Sequence, residues 1–366
     1  MKLTFFSNFL NHHQLPLCKE FIKHVGEQNF RFVSSERIHE ERTIMGYEDM
    51  NVKYPFVVRS YESKEQMDEA ICLAHDSDVV IMGTTFRPVL EIRAKENKLT
   101  LLFQERMFKN GTWHRFIPTT ACTIYKTSIK YRKNNLYILC ASAYAADDYS
   151  LCGFPRNKCL KWGYFPEVLP KPEKSFDKLR IMWCGRMLWW KHPEDAIEVA
   201  RMIYERNIDF EMKVIGSGEK REKVEKMIDK YGLRRYITTY NFMAPSEIRK
   251  VMNESNVYLF TSGKQEGWGV VLNEALNSGC AVIANKNAGS SPYLIKDNEN
   301  GILYDGTKTS LKEAVDRLLS SSISSLSEEA YSTIAETWNP SNAVVRLFNF
   351  IKSSSLPHDS GPCSMA

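Results

Sequence analysis

The sequence predicts an α/β protein made of two Rossmann-like, doubly wound parallel-sheet domains. At 366 residues the chain is too long for one compact core and suits two domains of about 150–200 residues. Short apolar runs alternate with stretches of helical periodicity through both halves, the pattern of parallel strands joined by crossover helices. Between the halves lies GYFPEVLPKPEKSFDK, residues 163–178, where Pro166, Pro170 and Pro172 break both helix and sheet pairing. The expected layout is a first domain over 1–164, a linker over 165–178 and a second domain over 179–338. A helix at 339–352 and a disordered tail at 353–366 follow.

In the first half, strands are expected at 2–6, 56–59, 79–82, 99–103 and 137–140, with a helix from about Gln14. In the second, strand 179–184 leads into helix 194–205, whose Ala196, Val199, Ala200 and Ile203 share one face. Strand 210–215 runs into Gly216-Ser217-Gly218, and a charged helix at 219–231 stops at Gly232. Strand 237–240, helix 245–253, strand 257–260, helix 270–278 and strand 281–284 follow. The pattern closes with strand 301–304, a helix near 310–320 and an amphipathic helix over 339–352. The serine-rich stretch 320–327 is the one low-complexity segment.

Hydrophobic residues at 43% and charged residues at 25% are those of a globular chain and exclude a largely disordered one. No run approaches the eighteen apolar residues of a membrane span, and the opening MKLTFFSNFLNHHQ lacks the apolar core of a signal peptide. Nine scattered cysteines with no C-x-x-C suggest reduced thiols in a cytoplasmic protein rather than a disulfide frame or zinc site.

Charge is unevenly spread. Residues 1–86 hold 9 Lys and Arg against 13 Asp and Glu, whereas residues 87–174 hold 16 against 7, and residues 175–366 balance at 24 each. Aromatic residues, among them Phe103, Phe108, Trp113, Phe116, Tyr125 and Trp162, lie between the basic ones. Such interleaving suits an anionic membrane surface, an anionic substrate or nucleic acid, and it also suits a solvated basic face over an aromatic core. Arg93, Lys95, Lys98, Arg106 and Lys109 are the cations expected to face such a partner.

In open parallel sheets, ligands bind where strands end and loops enter helices. After strand 179–184 comes Gly185-Arg186-Met187-Leu188-Trp189-Trp190-Lys191. Arg186 and Lys191 are two cations suited to a diphosphate, with a glycine beside them that permits close backbone approach. After strand 257–260 comes Thr261-Ser262-Gly263-Lys264-Gln265-Glu266-Gly267-Trp268-Gly269-Val270-Val271-Leu272-Asn273-Glu274. Its glycines let main-chain amides face an anion at a helix start. Glu266 and Glu274 are acceptors for vicinal hydroxyls, one for a ribose and the other for a sugar ring.

These motifs resemble the donor-binding half of the retaining, GT-B-fold glycosyltransferases of family 4 (glycosyl transferases group 1). The likeness rests on G-R-x4-K at 185–191, V-I-G-S-G-E at 214–219 and Q-E-G-W-G-V-V-L-N-E at 265–274. The run A-L-N-S-G-C-A-V-I-A at 275–284 and T-Y-N-F-M-A-P-S-E at 239–247 also fit, with Asn241 where the family usually has glycine. The resemblance covers about 178–305. It implies an interdomain cleft and a final helix that returns to the first domain.

By that resemblance, Arg186 and Lys191 bind the diphosphate. Glu266 and the amides of Gly267, Trp268 and Gly269 hold the transferred sugar, with Val270 and Val271 opening the helix behind them, and Glu274 holds the ribose. Gly185, Gly216, Gly218, Asn241, Phe242 and Met243 line the nucleotide. The implied donor is a UDP- or GDP-linked sugar, and the implied acceptor a saccharide or lipid-linked saccharide in cell-surface polysaccharide or glycoconjugate synthesis. No metal is required, because the cations and helix N-termini supply positive charge.

The first domain departs from the family. Its opening loop reads Ser7-Asn8-Phe9-Leu10-Asn11-His12-His13, without the usual Gly-Gly, and at most one of His12 and His13 is expected to approach the donor phosphates. Glu105 stands where members often have histidine or aspartate after a mid-domain strand; it either faces the reacting centre or pairs structurally with Arg106 or another cation. Asp76-Ser77-Asp78 has the form of a metal-binding D-x-D but precedes strand 79–82 and reads as a turn. Two rival functions remain open, a sugar-nucleotide epimerase on the same fold and a basic nucleic-acid-binding protein, for which no binding motif is present.

Overall fold

The computed structural model describes residues 1–39, 48–84 and 86–366. The chain forms two compact units, Met1–Glu167 with Asn339–Ala366, and Val168–Trp338.

The first unit is built on seven strands: β1 (Leu3–Ser7), β2 (Phe30–Ser34), β3 (Val57–Arg59), β4 (Val79–Met82), β5 (Thr100–Gln104), β6 (Leu136–Cys140) and β7 (Cys159–Lys161). They pair in parallel in the order β3-β2-β1-β4-β5-β6-β7. Strands β2 and β7 were not expected from the sequence. Arg31 interrupts the apolar run of β2, whose Phe30, Phe32 and Val33 are nevertheless buried, and β7 is only three residues long. Strand β4 is buried on both faces along its whole length, as parallel strands between helical layers must be.

Helix Pro340–Ser353 belongs to this first unit although it follows the second in sequence. The Asn339 side chain accepts from the Asn342 amide at 2.7 Å and Pro340 occupies the first turn, which fixes where the helix starts. Its Phe348 packs on Phe21 and His24 of helix Leu15–Val25, and Phe350 packs on Tyr137. The tail expected to be disordered is ordered at its end. The Lys161 amide donates to the Ser364 carbonyl at 2.8 Å and the Cys363 amide to the Lys161 carbonyl at 2.7 Å. This antiparallel pairing covers the exposed edge of β7, and Arg346 anchors it through two 2.6 Å bonds to Asp359.

The basic segment is also not the uniform surface that its charge count suggests. Arg93 is completely buried. Its guanidinium donates to the carbonyls of Ala74, Ser77, Asp78 and Leu99 and to the Thr100 hydroxyl. It thereby caps the end of helix Lys64–Asp76 and ties together the entries of β4 and β5. Lys98 pairs with Glu96 at 2.9 Å, Lys109 with Glu105 at 2.6 Å, and Arg106 lies 3.8 Å from Asp148. Most of the five cations expected to meet an anionic partner are therefore occupied within the unit. The D-x-D lies in the same corner: the Lys2 amide donates to Asp78 at 2.7 Å, at the amino end of β4.

The second unit has six parallel strands: β8 (Leu179–Cys184), β9 (Phe210–Ile215), β10 (Ile237–Tyr240), β11 (Val257–Phe260), β12 (Ala281–Asn285) and β13 (Ile302–Tyr304). Their order is β10-β9-β8-β11-β12-β13. Helix Pro193–Tyr204 starts on proline with Glu194 and Asp195 in its first turn, and buries Ala196, Ile197, Val199, Ala200 and Ile203 against the sheet. The serine-rich stretch opens a helix, Ile323–Ser332, because the Ser322 hydroxyl caps the Ser325 amide. The later part of the proline-rich linker is docked on this unit: Leu169 bonds to Asn277 and Tyr331, and Lys174 caps the carbonyls of Met252 and Asn253.

Removing the Arg93 side chain leaves several buried carbonyls without donors, each costing about 1–3 kcal/mol. Arg93→Ala is expected to lower unfolding free energy by about 3–5 kcal/mol. Urea titration checks this, and a loss below about 1 kcal/mol would show that water or a shifted backbone replaces the guanidinium.

Candidate functional site

The strand order of the second unit brings the carboxyl ends of β10, β9, β8 and β11 side by side, with the direction of winding reversing between β8 and β11. That reversal is where an open parallel sheet offers a crevice. The four loops that follow these strands, with the start of helix Val271–Asn277, carry every donor-site residue expected from the sequence.

Glycines let the first two loops approach closely. A Cβ on Gly216 would lie 1.9 Å from the Gly185 carbonyl oxygen, and one on Gly218 would lie 2.8 Å from that of Met187, at φ of 139° and 144°. Backbone bonds from Gly185 to Ile215 at 3.0 Å, Met187 to Ser217 at 2.8 Å and Lys220 to Met187 at 2.9 Å zip the loops together. Glu219 accepts from the Trp189 amide at 2.8 Å, and Arg221 donates to the carbonyls of Gly216 and Tyr240. Sequence reasoning assigned neither side chain a role. Glu219 closes the V-I-G-S-G-E motif, and that placement was the available signal. Asn241 and Phe242, after β10, are exposed, with Met243 partly covered.

The loops after β8 and β11 bring the charged groups together. Lys191 forms an ion pair with Glu266, their side chains 16% and 15% exposed, so the cation expected on a diphosphate and the carboxylate expected on a sugar meet directly. The pair is held from below: the Trp183 indole donates to the Thr261 hydroxyl at 2.9 Å, which donates to the Lys191 carbonyl at 2.6 Å. Thr261 is a further supporting residue that its position at the end of β11 did not single out. Arg186, in the same loop as Lys191, is exposed.

Gly269 has φ of 84°, and a Cβ there would meet the Phe260 ring at 2.4 Å, so the chain can turn into helix Val271–Asn277 only with glycine at this point. The Trp268 side chain is buried, donating to Asn273 at 2.8 Å and packing on Tyr293 and Trp338. Any contact it makes with a ligand is therefore through the main chain. Val270 and Val271 are half-buried at the helix start.

Glu274 lies one turn into that helix. Burial pushes its carboxyl from the usual 4.5 up to about 7, against the opposing pull of Arg249. Burial also pushes the Cys184 thiol up to about 12, with Glu274 adding to the rise and Lys191 opposing it. Both charged groups thus converge on the end of β8. A carboxyl in this state is a poorly solvated group near Arg249, able to accept from or donate to hydroxyls.

In the first unit, Glu105 stands directly after β5, as expected. It accepts from Lys109 at 2.6 Å and from the Tyr164 hydroxyl at 3.3 Å, so its cationic partner is Lys109 rather than Arg106. Arg106 instead lies over the Tyr144 ring, 4.7 Å from its centroid. His12 and His13 stack on one another, 3.7 Å between ring centroids, in the loop after β1. Asn11 organises that loop by accepting from the His13 amide at 3.0 Å.

Residues 166–336 match the family described as glycosyl transferases group 1. The second unit matches a glycosyltransferase family. Among curated relatives, the amylovoran biosynthesis glycosyltransferase AmsK of Erwinia amylovora is 29% identical over 159 residues, 42% of this chain and 39% of that protein. The alpha-D-kanosaminyltransferase of Streptomyces kanamyceticus is 28% identical over 144 residues, 39% of this chain and 37% of that protein. The chain spans under two fifths of the length of these curated glycosyltransferases. Solved structures share the fold of both units. HepE of Anabaena, crystallised with UDP, has a TM-score of 0.69 at 13% identity over 96% of this chain and all of that one. The lipopolysaccharide outer core galactosyltransferase WaaB has a TM-score of 0.69 at 15% identity over 97% and 100%. These likenesses show two Rossmann-like domains of the GT-B type.

Two outcomes follow from this geometry. Because folded Glu274 retains a proton that the unfolded chain releases, stability should fall as pH rises from about 4.5 to about 7, by at most about 3 kcal/mol. Glu274→Gln should therefore gain on the wild type in melting temperature above pH 7 and lose that advantage near pH 4.5, and a gap that does not vary with pH would show an ordinary carboxyl. Gly216→Ala should lower the melting temperature, since its Cβ clashes with backbone and its φ alone costs about 1–3 kcal/mol. An unchanged melting temperature would mean that the loops separate without cost.

Proposed function

We propose that this protein is a retaining glycosyltransferase that moves a sugar from a nucleoside-diphosphate sugar to a hydroxyl of a saccharide or lipid-linked saccharide. The convergence of Lys191, Glu266 and Glu274 at the reversal point of the second sheet carries this reading. HepE has been crystallised with UDP and with UDP-glucose, and AmsK is named for amylovoran biosynthesis. Both support a nucleotide-linked donor and a role in polysaccharide or glycoconjugate synthesis.

In this reading, Arg186 and Lys191 bind the diphosphate and stabilise the charge that grows on it as the bond to the anomeric carbon breaks. Incoming phosphate competes with Glu266 for Lys191, which frees the carboxylate to accept from sugar hydroxyls. Glu274 accepts from the ribose, and the loops at Gly185, Gly216, Gly218 and Asn241–Met243 surround the base. The main chain at Gly267–Val271 faces the sugar. The acceptor oxygen attacks the anomeric carbon on the face that the diphosphate leaves, and its proton passes to the departing phosphate oxygen. Positive charge from Arg186 and Lys191 makes a metal unnecessary. Glu105, held by Lys109 and Tyr164, is the first unit's candidate for contact with the acceptor. The reaction is placed at the cytoplasmic face of a membrane that carries the acceptor; among the described residues, no helix is long and apolar enough to cross one.

Thermal shift with UDP, GDP, ADP and CMP, each at about a millimolar with a chelator present, tests the donor site. One diphosphate should stabilise the protein, by about 2.7 kcal/mol at a hundred times its dissociation constant, and Arg186→Ala and Glu274→Ala should abolish the response. No response to any nucleotide from a folded protein would overturn the reading. The anomeric configuration of the product, read by NMR, decides retention.

A further inference from the structure

We propose that the face of the first unit formed by residues 112–133 with Leu151 docks onto an anionic lipid bilayer. The sequence from 106 to 146 contains seven Lys and Arg and no Asp or Glu. Arg106 and Lys109 are engaged with Asp148 and Glu105. Among the described residues, Arg115, Lys126, Lys130, Arg132 and Lys133 form no ion pair, so this face keeps an uncompensated positive charge. Within about a Debye length of anionic headgroups, each such cation strengthens binding severalfold.

Large apolar side chains stand among these cations. Trp113 is 59% exposed, Phe116 73%, Tyr125 53% and Leu151 51%. Phe116, Tyr125 and Leu151 border a groove of about 330 Å³ floored by Ala121, Ile124 and Ile129. Exposed apolar clusters of this kind mark interaction surfaces, and tryptophan and tyrosine favour the headgroup layer of a bilayer.

Helix Pro118–Thr127 buries only Ile124 and turns the rest of its surface outward. The Thr123 hydroxyl donates to the Thr119 carbonyl at 2.9 Å and that of Thr127 to the Thr123 carbonyl at 2.8 Å. Two of the helix's four threonine hydroxyls are thus satisfied within the helix, which lowers the cost of placing it against lipid. Nucleic acid would use the same cations, but a groove bordered by Phe116, Ala121, Ile124, Ile129 and Leu151 offers few donors to bases or sugars. The arrangement fits a short interfacial helix flanked by aromatic anchors and basic residues. The proposal goes beyond sugar transfer and does not depend on it, because vesicle binding is read without donor or acceptor.

Cosedimentation of the full chain with phosphatidylcholine vesicles, with and without phosphatidylglycerol, tests it. The wild type should pellet with the anionic vesicles only and be released by high salt. The double variant Lys126→Ala/Lys130→Ala should bind about thirtyfold more weakly. The triple variant Trp113→Ala/Phe116→Ala/Tyr125→Ala should bind at least about tenfold more weakly, with an unchanged circular dichroism spectrum because these side chains lie on the surface. The proposal is overturned if the wild type stays in the supernatant, if both variants bind as it does, or if single-stranded oligonucleotides outcompete vesicles for this face. Self-association of the wild type lost in the triple variant, with no vesicle binding, would instead make the face a contact between copies.

Discussion

The candidate site depends on how closely the ends of β8 and β9 can approach. Gly216 lies against the Gly185 carbonyl and Gly218 against that of Met187, at distances that leave no room for a Cβ. The backbone bonds zipping residues 185–187 to 215–220 follow from this contact. So does the placement of Glu219 on the Trp189 amide, which sets the course of the chain into Lys191. The fourth loop is then fastened to the first through Trp183, Thr261 and the Lys191 carbonyl, and through the Gly263 amide on the Trp190 carbonyl at 2.7 Å. Segments distant in sequence are thereby held as one rim, by main-chain contacts and by the side chains of Glu219, Trp183 and Thr261.

Electrostatics in that rim is a balance among few groups. Lys191 and Glu266 neutralise each other where both are largely covered, while Glu274 is driven toward its neutral form by burial. A site in this state carries little net charge except for exposed Arg186. An arriving anion has two cations to engage and, by drawing Lys191 away, changes the state of Glu266. In the function proposed above, coupling between the diphosphate and sugar subsites follows from that ion pair.

The first unit divides its positive charge between two uses. Arg93, a cation by composition, serves as a buried donor to four carbonyls and one hydroxyl, and Arg106 and Lys109 are matched to carboxylates. Arg115, Lys126, Lys130, Arg132 and Lys133, which form no ion pair among the described residues, lie in or next to helix Pro118–Thr127 in the chain, where aromatic side chains are also exposed. Net charge per segment cannot separate these roles, since one arginine reads the same in a core corner as on a surface.

Much of this protein was legible in its residues. Strands β4 and β11 announce themselves as apolar runs bounded by polar residues or glycine, and β8 and β9 as strands that end at Gly185 and Gly216. The glycines at 216, 218 and 269 mark turns that no other side chain permits, and the glutamate spacing at 266 and 274 follows from the helix that Gly269 opens. These are local matters, decided within a few residues by backbone sterics and periodicity. Long-range pairing decided the rest. The order β10-β9-β8-β11 put four separate loops on one rim, and Lys109 rather than Arg106 met Glu105. Strand β7 and the tail at 361–366 exist as structure because each supplies the other's hydrogen bonds, and Arg93 is buried because carbonyls from three segments converge on it. A residue's partners across the fold are absent from its local sequence, so only the tertiary structure shows which charges are already matched and which remain for a ligand.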